Sequence, residues 1–260
     1  MALSGTLLLC LLQAAASQLV PRGPRPIPEI DCPIRVYFTI DTSETIALQE
    51  SPPGQLFESI REFTKIFAQR LDEENYRGQI RITWTIGGLH YSQTQEVFSA
   101  FTTKTNFIRS LSRINYLGKG TYTDCALKNM TYHMTQQYHD TKVVRFSVVI
   151  TDGHVTGNPC GGIKVMADKA REEGIQIFSV AASRVIDELG MREIASSPTD
   201  VYRDDFIAVD IVNGRPTIMT STIDQIIKTM GNVGDPGDPG PRGEPGPQGP
   251  IVGARLQYHV

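Results

Sequence analysis

The sequence KVVRFSVVIT, at residues 142–151, contains the strongest buried-strand signal of the chain. It is a short run rich in β-branched and aromatic residues, which is typical of a strand covered on both faces in a parallel sheet. A second run of this kind extends from Ile34 to Ile40 and ends at Asp41. A polar loop follows each run directly, so these two strands also indicate where a functional site would lie.

Outside these two runs, apolar residues recur alternately at helical and at strand spacing. The predicted helices are 56–71, closed by Gly78, then 107–114, 123–138, 163–174, 187–196 and 220–230. The further predicted strands are 80–86, ending at Gly87-Gly88, its weaker hairpin partner 89–98, then 175–182 and an extended segment at 200–209. Strands alternating with helices imply right-handed crossovers, so we predict an α/β fold with a doubly wound, mostly parallel sheet flanked by helices.

Length and charge narrow the class of protein. The 260 residues suit one large domain or two small ones, with enough apolar content for a sizeable core. A nucleic-acid-binding protein would carry a basic excess, whereas the formal net charge here is −3. Of the 16 Pro, four lie between Pro21 and Pro28 and six between Gly231 and Ile251. Composition therefore divides the chain into a globular middle and two unusual ends.

Residues 1–17 are predicted to be a secretory signal peptide. They contain no charged side chain, and the apolar run Leu7–Leu12 is followed by small residues that offer cleavage after Ala16 or Ser17. The stretch is too short for a membrane span of about 20 residues. The alternative is a buried first helix. With the signal removed, residues 18–30 form a Pro-rich linker, and we expect a secreted chain without membrane insertion.

Three polar loops contain the side chains that are best suited to bind a ligand. They read Asp-Thr-Ser-Glu-Thr at 41–45, Gly-Lys-Gly-Thr-Tyr-Thr-Asp at 118–124 and Thr-Asp-Gly-His at 151–154. A doubly wound sheet places its site in loops at the carboxyl ends of its strands, at the topological switch point. A hard cation such as Mg²⁺ prefers oxygen ligands without nitrogen or thiolate. The loops offer two carboxylates and three hydroxyls of this kind: Asp41, Ser43, Thr45, Thr121 and Asp152.

These loops resemble the metal-ion-dependent adhesion site of von Willebrand factor A domains, through Asp-x-Ser-x-Thr at 41–45, Gly-Thr-Tyr-Thr at 120–123 and Val-Val-Ile-Thr-Asp-Gly at 148–153. The resemblance implies that Ser43, Thr45 and Thr121 are hydroxyl ligands of Mg²⁺, Mn²⁺ or Ca²⁺. It also implies that Asp41 and Asp152 act directly or through water, and that the cation accepts a partner's carboxylate. Thr45 stands where the family usually has Ser. The alternative is a structural loop set in which these side chains cap helices and close turns.

Longer strings narrow the resemblance to the collagen VI family. They are Asp31–Ile34, Gly88–Ser92, Thr121–Ala126, Ile150–Gly157, Asn158–Lys164 and Ala170–Ile175. The resemblance places a von Willebrand factor A domain at residues 31–230. It implies an extracellular-matrix structural protein and not an enzyme. The implied partners are other collagen VI chains, of the alpha-1 and alpha-3 types, together with matrix proteins and cell-surface receptors.

Residues 231–251 repeat Gly at every third position for seven triplets, a period specific for a triple helix because only Gly fits at its axis. Pro236, Pro239 and Pro245 occupy the third triplet position and are hydroxyproline candidates. The register breaks at Val252, so residues 252–260 are a non-collagenous tail, and we expect a truncated form, a fragment, a splice form or a gene-model error. The rival hypothesis is a free-standing, metal-dependent adhesion module with a disordered tail.

The cysteines and one sequon predict covalent modifications. Cys10 leaves with the signal, and the odd set that remains implies one bridge plus a free thiol or a bond to another chain. Spacing alone leaves the pairing of Cys32, Cys125 and Cys160 open. Cys125 and Cys160 follow two candidate ligands by four and eight residues, a placement that favours a bridge between them. The sequon at Asn129 is a candidate glycosylation site on a helix surface.

Two enzyme hypotheses fit the sequence less well. The Gly-Lys-Gly-Thr segment at 118–121 lacks the Walker spacing of a phosphate-binding loop. His90 and His154 suggest a hydrolase triad with Ser43, but no Gly-x-Ser-x-Gly elbow is present. We therefore expect a binding protein without catalytic residues.

Overall fold

The apolar runs at residues 34–40 and 142–151 form neighbouring central strands of one sheet. The computed structural model describes residues 30–49, 54–76, 80–136, 143–213 and 215–232. The strands are β1 (Ile30–Asp41), β2 (Glu74–Tyr76), β3 (Ile80–Tyr91), β4 (Gln95–Thr102), β5 (Val144–Thr151), β6 (Ile175–Ala181), β7 (Val209–Val212) and β8 (Arg215–Ile218). The helices are α1 (Glu44–Ala47), α2 (Gln55–Arg70), α3 (Lys104–Leu111), α4 (Thr123–Thr135), α5 (Ile163–Glu172), α6 (Glu188–Ile194), α7 (Thr199–Tyr202) and α8 (Thr220–Asn232).

The main sheet has the order β2-β3-β1-β5-β6, and β4 also pairs with β3. β1 lies parallel to β3 and β5, and β5 lies parallel to β6, whereas β2 and β4 are antiparallel to β3. The predicted doubly wound, mostly parallel sheet is therefore confirmed. The register sets Ile40 beside Ile150, so the loops after β1 and β5 leave the same edge of the sheet.

Apolar side chains cover both faces of the sheet. On one face, Phe38 and its neighbours pack against α2, α3 and α8 in a buried cluster that also contains Phe67 and Ile226. On the other face, Tyr37 and Val149 pack against α4 and α5 in a second cluster. Coverage on both faces explains why β1 and β5 are continuous apolar runs. None of the helices described is long and apolar enough to cross a membrane.

The glycine pair Gly87-Gly88 does not end β3, contrary to the sequence prediction. A Cβ on Gly87 would lie 3.0 Å from the Tyr37 ring, and one on Gly88 would lie 2.5 Å from the Phe98 ring. Both glycines therefore make room for aromatic side chains of the neighbouring strands. The predicted strand 89–98 was wrong in its bounds, because β3 continues to Tyr91 and β4 begins only at Gln95. The predicted hairpin between them is present.

The extended segment predicted at 200–209 was also wrong. Its first part is the short helix α7, and only Val209 onwards is strand, paired with β8 in a separate two-stranded sheet. The rings of Tyr202 and Phe206 both approach Phe178, with centroids 4.9 and 6.2 Å away. The turn after α7 folds the chain back so that both rings meet one neighbour, whereas in a strand two residues four apart lie about 13 Å from each other.

Predicted helices and observed helices differ mainly at their ends. α2 ends at Arg70 and β2 follows it, so Gly78, which lies outside the described residues, does not close that helix. Ile114 is buried in the loop after α3 and is not part of the helix. The predicted signal peptide (1–17), the linker up to residue 29 and the segment from residue 233 onwards, with its hydroxyproline candidates, lie outside the described residues.

Candidate metal centre

Asp41 ends β1 and is fully buried. Its Oδ1 accepts the backbone N–H of Ser43 at 3.0 Å. Its Oδ2 accepts the Thr151 hydroxyl at 2.7 Å and the Tyr91 hydroxyl at 3.4 Å. These three donors are uncharged, so among the described contacts the carboxylate is hydrogen-bonded without being neutralised.

Burial raises the cost of ionising both candidate carboxylates, and the charge of Asp152 adds to that cost at Asp41. Burial, and then the charge of Asp152, raise the pKa of Asp41, while hydrogen bonds from Ser43 and Thr151 lower it by less. Burial is also the main cause that raises the pKa of Asp152, opposed by the His154 N–H at 2.9 Å and by the hydroxyl of Thr45. A divalent cation beside both groups would favour their ionised forms.

The three candidate hydroxyls form a continuous chain. The Oγ of Ser43 lies 3.0 Å from Oγ1 of Thr45, which lies 3.4 Å from Oγ1 of Thr121. Ser43 and Thr121 are fully buried, whereas Thr45 is partly exposed. Since Thr45 also hydrogen-bonds Asp152, the structure brings all five candidate ligands together at one end of the sheet, with Thr45 nearest solvent. Five oxygens with two negative charges fit a hard divalent cation.

The loop before α4 is fixed by contacts with the loop after β5. The N–H of Thr121 donates to Oγ1 of Thr156 at 2.8 Å, and the N–H of Thr156 donates back to the Thr121 carbonyl at 3.1 Å. A Cβ on Gly120 would lie 2.2 Å from the same Thr156 oxygen, so only Gly fits there. Thr121 is therefore held by its backbone, which leaves its hydroxyl for the chain of oxygens.

A disulfide closes the same pair of loops. Cys125, in the first turn of α4, bonds to Cys160 with an S–S distance of 2.05 Å, one of the pairings that the sequence left open. The buried carboxylate of Asp124 accepts the N–H groups of Cys160 at 2.7 Å and Gly162 at 3.1 Å. Because both thiols are in the bridge, this cluster is not a metal site. Cys32, near the start of β1, is free and partly exposed.

The structure gives neither histidine a place beside Ser43. The Nδ1 of His90 lies 3.3 Å from Oγ1 of Thr42, and burial lowers the pKa of this imidazole. The Nδ1 of His154 lies 3.6 Å from Asp152. The hydrolase triad therefore has no geometric support among the described residues. Asn129 lies partly buried on α4, so its glycosylation stays a prediction.

Sequence reasoning missed the residues that hold the ligands in place. Thr151 lies in one of the three polar loops, and the strand register brings it level with Asp41, which accepts its hydroxyl. Tyr91 ends β3 in the same way. Gln49 contacts Asp152 through its side chain at 2.9 Å, and no motif or spacing points to it.

A model of the von Willebrand factor type A domain matches residues 36–212. The collagen alpha-2(VI) chain of Gallus gallus is 48% identical over 77% of this chain and 19% of the relative. The collagen alpha-1(VI) chain of Homo sapiens is 34% identical over 87% of this chain and 23% of the relative. Matrilin-1 of Gallus gallus is 29% identical over 76% of this chain and 38% of the relative. The chain thus spans about a fifth of the length of these collagen relatives.

Solved structures share the fold at low identity. Proximal thread matrix protein 1 from the mussel byssus, with a zinc-occupied MIDAS motif, superposes with a TM-score of 0.56 at 16% identity, over 77% of this chain and 47% of that one. The manganese-loaded TRAP protein of Plasmodium vivax gives 0.54 at 11% identity, over 78% of this chain and 73% of that one. At these identities the likeness concerns the fold.

Proposed function

Because the chain belongs to the von Willebrand factor type A domain family, we propose that its folded domain is a cation-dependent binding module for protein partners. Asp41, Ser43, Thr45, Thr121 and Asp152 would hold the cation, which is Mg²⁺ or Mn²⁺, with Ca²⁺ as the alternative. The observation that carries the proposal is the continuous set of oxygens at one edge of the sheet, which joins two buried carboxylates; among the described contacts, Asp41 is bound by uncharged donors alone.

The relatives indicate the class of protein. The relatives are collagen VI chains and matrilins, so the chain is an extracellular-matrix protein with a von Willebrand factor A domain and not an enzyme. The expected relationship to collagen VI is confirmed, at 48% identity to a collagen alpha-2(VI) chain.

The ligand chemistry follows from the donor set. Three of the five candidate ligands are neutral hydroxyls, so a bound divalent cation would stay electron-poor and would accept one more anionic oxygen. Mg²⁺ usually keeps exchangeable waters, which a partner's Asp or Glu carboxylate can replace. Thr45 is the partly exposed member of the set, so a partner would approach the cation from the side of Thr45. Two proteins of the same fold, one with a zinc-occupied MIDAS motif and one loaded with manganese, support a divalent cation as the ligand of this domain.

A thermal-shift experiment tests the cation site. The purified full chain is melted in excess Mg²⁺ and in EDTA, beside Asp152→Ala and the control Asp205→Ala, which removes an exposed carboxylate. A ligand at about 100 times its dissociation constant stabilises a fold by about 2.7 kcal/mol, which is a shift of a few degrees. We expect this shift in the wild type and the control only. A shift that survives in Asp152→Ala would contradict the proposed site.

The terminal segments belong to the same proposal. We propose that residues 1–17 direct secretion into the extracellular matrix and that residues 231–251 join a collagen trimer, with other collagen VI chains as partners. The Gly-X-Y period supports the trimer, because that repeat is specific for a triple helix. Crosslinking and gel filtration at low temperature test it. A stable trimer is expected, and a strict monomer would favour the free-standing adhesion module.

A further inference from the structure

Gln49 ties together three loops of the candidate site. Its Nε2 donates to Oδ2 of Asp152 at 2.9 Å and to the backbone carbonyl of Val185 at 3.2 Å. Its Oε1 accepts the hydroxyl of Ser183 at 2.5 Å. A carboxylate and a carbonyl can only accept, so the amide nitrogen must face them and the side chain has one orientation. The loops after β1, β5 and β6 are joined through this one amide.

Gln49 also completes the hydrogen bonding of Asp152. With Oδ2 accepting from Gln49, the other oxygen, Oδ1, accepts the N–H of His154 at 2.9 Å. Asp152 is fully buried, so these contacts are not exchanged with bulk water. The Thr45 hydroxyl donates to Asp152 as well, so three donors occupy three of the four lone-pair positions of this carboxylate. With one position left, Asp152 cannot present both oxygens to the same ion.

This restriction discriminates between cations. Ca²⁺ takes six to eight oxygens and often binds a carboxylate through both of its oxygens, whereas Mg²⁺ demands near-octahedral geometry and usually keeps several waters. We propose that Gln49 is a positioning residue that makes the site prefer a small octahedral cation, Mg²⁺ or Mn²⁺, over Ca²⁺. It does so by preventing two-oxygen chelation by Asp152. The inference rests on the proposed function, since it needs a cation at this site.

The test compares the affinities of two metals in matched variants of the full chain. Mg²⁺ and Ca²⁺ are titrated by calorimetry into the wild type, Gln49→Leu, Ser183→Ala and the control Gln225→Leu, which alters an exposed residue of α8. Loss of a residue that orients a metal ligand typically costs about 10-fold to 100-fold in metal affinity. We expect Gln49→Leu to lose about that factor for Mg²⁺ and less for Ca²⁺. Ser183→Ala should shift the ratio in the same direction by less, and Gln225→Leu should not change it.

The ratio separates positioning from a merely structural role. The thermal midpoint in EDTA reports how each variant folds without metal. A structural role would lower that midpoint and weaken both metals by the same factor, and an unchanged Mg²⁺-to-Ca²⁺ ratio in Gln49→Leu would overturn the inference. If the wild type binds the cation and the ratio is unchanged, the inference about Gln49 alone fails. If the wild type binds neither metal, the proposed function fails with it.

Discussion

The hydroxyl of Thr151 donates a 2.7 Å hydrogen bond to Oδ2 of Asp41, a residue 110 positions earlier in the chain. The parallel pairing of β1 with β5 sets this contact, because Ile40 lies beside Ile150 and the next residue of each strand is level with the other. The Asp41 carboxylate is thus held in place by the sheet as well as by the loop after β1.

Replacing Thr151 by Val should destabilise the domain even without metal. Val has nearly the same shape but removes the donor to Asp41 and the acceptor of the Gly153 N–H, which lies 3.2 Å away. Hydrogen bonds to charged groups contribute about 1.5–3 kcal/mol, and we expect a loss of that size in the free energy of unfolding. Urea unfolding in EDTA at pH 8 measures it. Thr151→Ser keeps the hydroxyl and should lose clearly less; equal losses would assign the effect to packing.

The buried acid pair should make the metal-free domain less stable as pH rises. Burial and the charge of Asp152 raise the pKa of Asp41 in the folded chain above the ordinary value of about 3.9 in the unfolded chain. A carboxyl that holds its proton more tightly when folded contributes stability at low pH. That contribution is lost as pH rises through the raised folded pKa.

The matched comparison for this effect is Asp41→Asn, which cannot titrate. In EDTA, the free energy of unfolding of the wild type should fall relative to that of Asp41→Asn as pH rises from about 4 toward 8. Using the difference between the two proteins removes the contribution of His90, whose lowered pKa acts in the opposite direction. Urea titrations across this range measure the difference. A gap that does not change with pH would contradict the prediction.

The strands and the candidate ligands were predictable because they follow from short-range patterns. β1 and β5 are continuous apolar runs typical of strands covered on both faces, and a carboxylate ends β1 and directly follows β5. The role of Gly87-Gly88 was predicted wrongly because it depends on long-range contacts. Rings from two other strands occupy the space that side chains at these positions would need. The contacts of Gln49 could not be predicted for the same reason, since its partners lie 103 and 136 residues away in the sequence. Contacts of this kind are set by topology, and a single sequence carries no local signal for them.

Removing the disulfide should cost more than removing the free thiol. The Cys125–Cys160 bridge spans 35 residues, and in the chain-entropy model closing a loop of that length stabilises a fold by about 3–4 kcal/mol. We expect the double variant Cys125→Ala with Cys160→Ala to lose about that amount in urea unfolding. Cys32→Ala, at a partly exposed and unbonded position, should lose less than about 1 kcal/mol. Equal losses would show that the bridge adds nothing beyond side-chain packing.

Gly120 should be required for cation binding through Thr156. A Cβ at this position would lie 2.2 Å from Oγ1 of Thr156, the atom that accepts the N–H of Thr121. Gly120→Ala must therefore displace Thr156 and with it the backbone that presents the Thr121 hydroxyl. We expect the Mg²⁺ affinity to fall about 10-fold or more, as for other losses of support to a metal ligand.

The control for this variant is Gln225→Ala, at an exposed position of α8. Ala is a good helix former, so the fold and the Mg²⁺ affinity should match those of the wild type. Calorimetric titration with Mg²⁺, beside the thermal midpoint in EDTA, measures both effects in each variant. Wild-type affinity in Gly120→Ala would show that the contact between Thr121 and Thr156 does not position the ligand. A loss confined to the EDTA midpoint would assign Gly120 to folding instead.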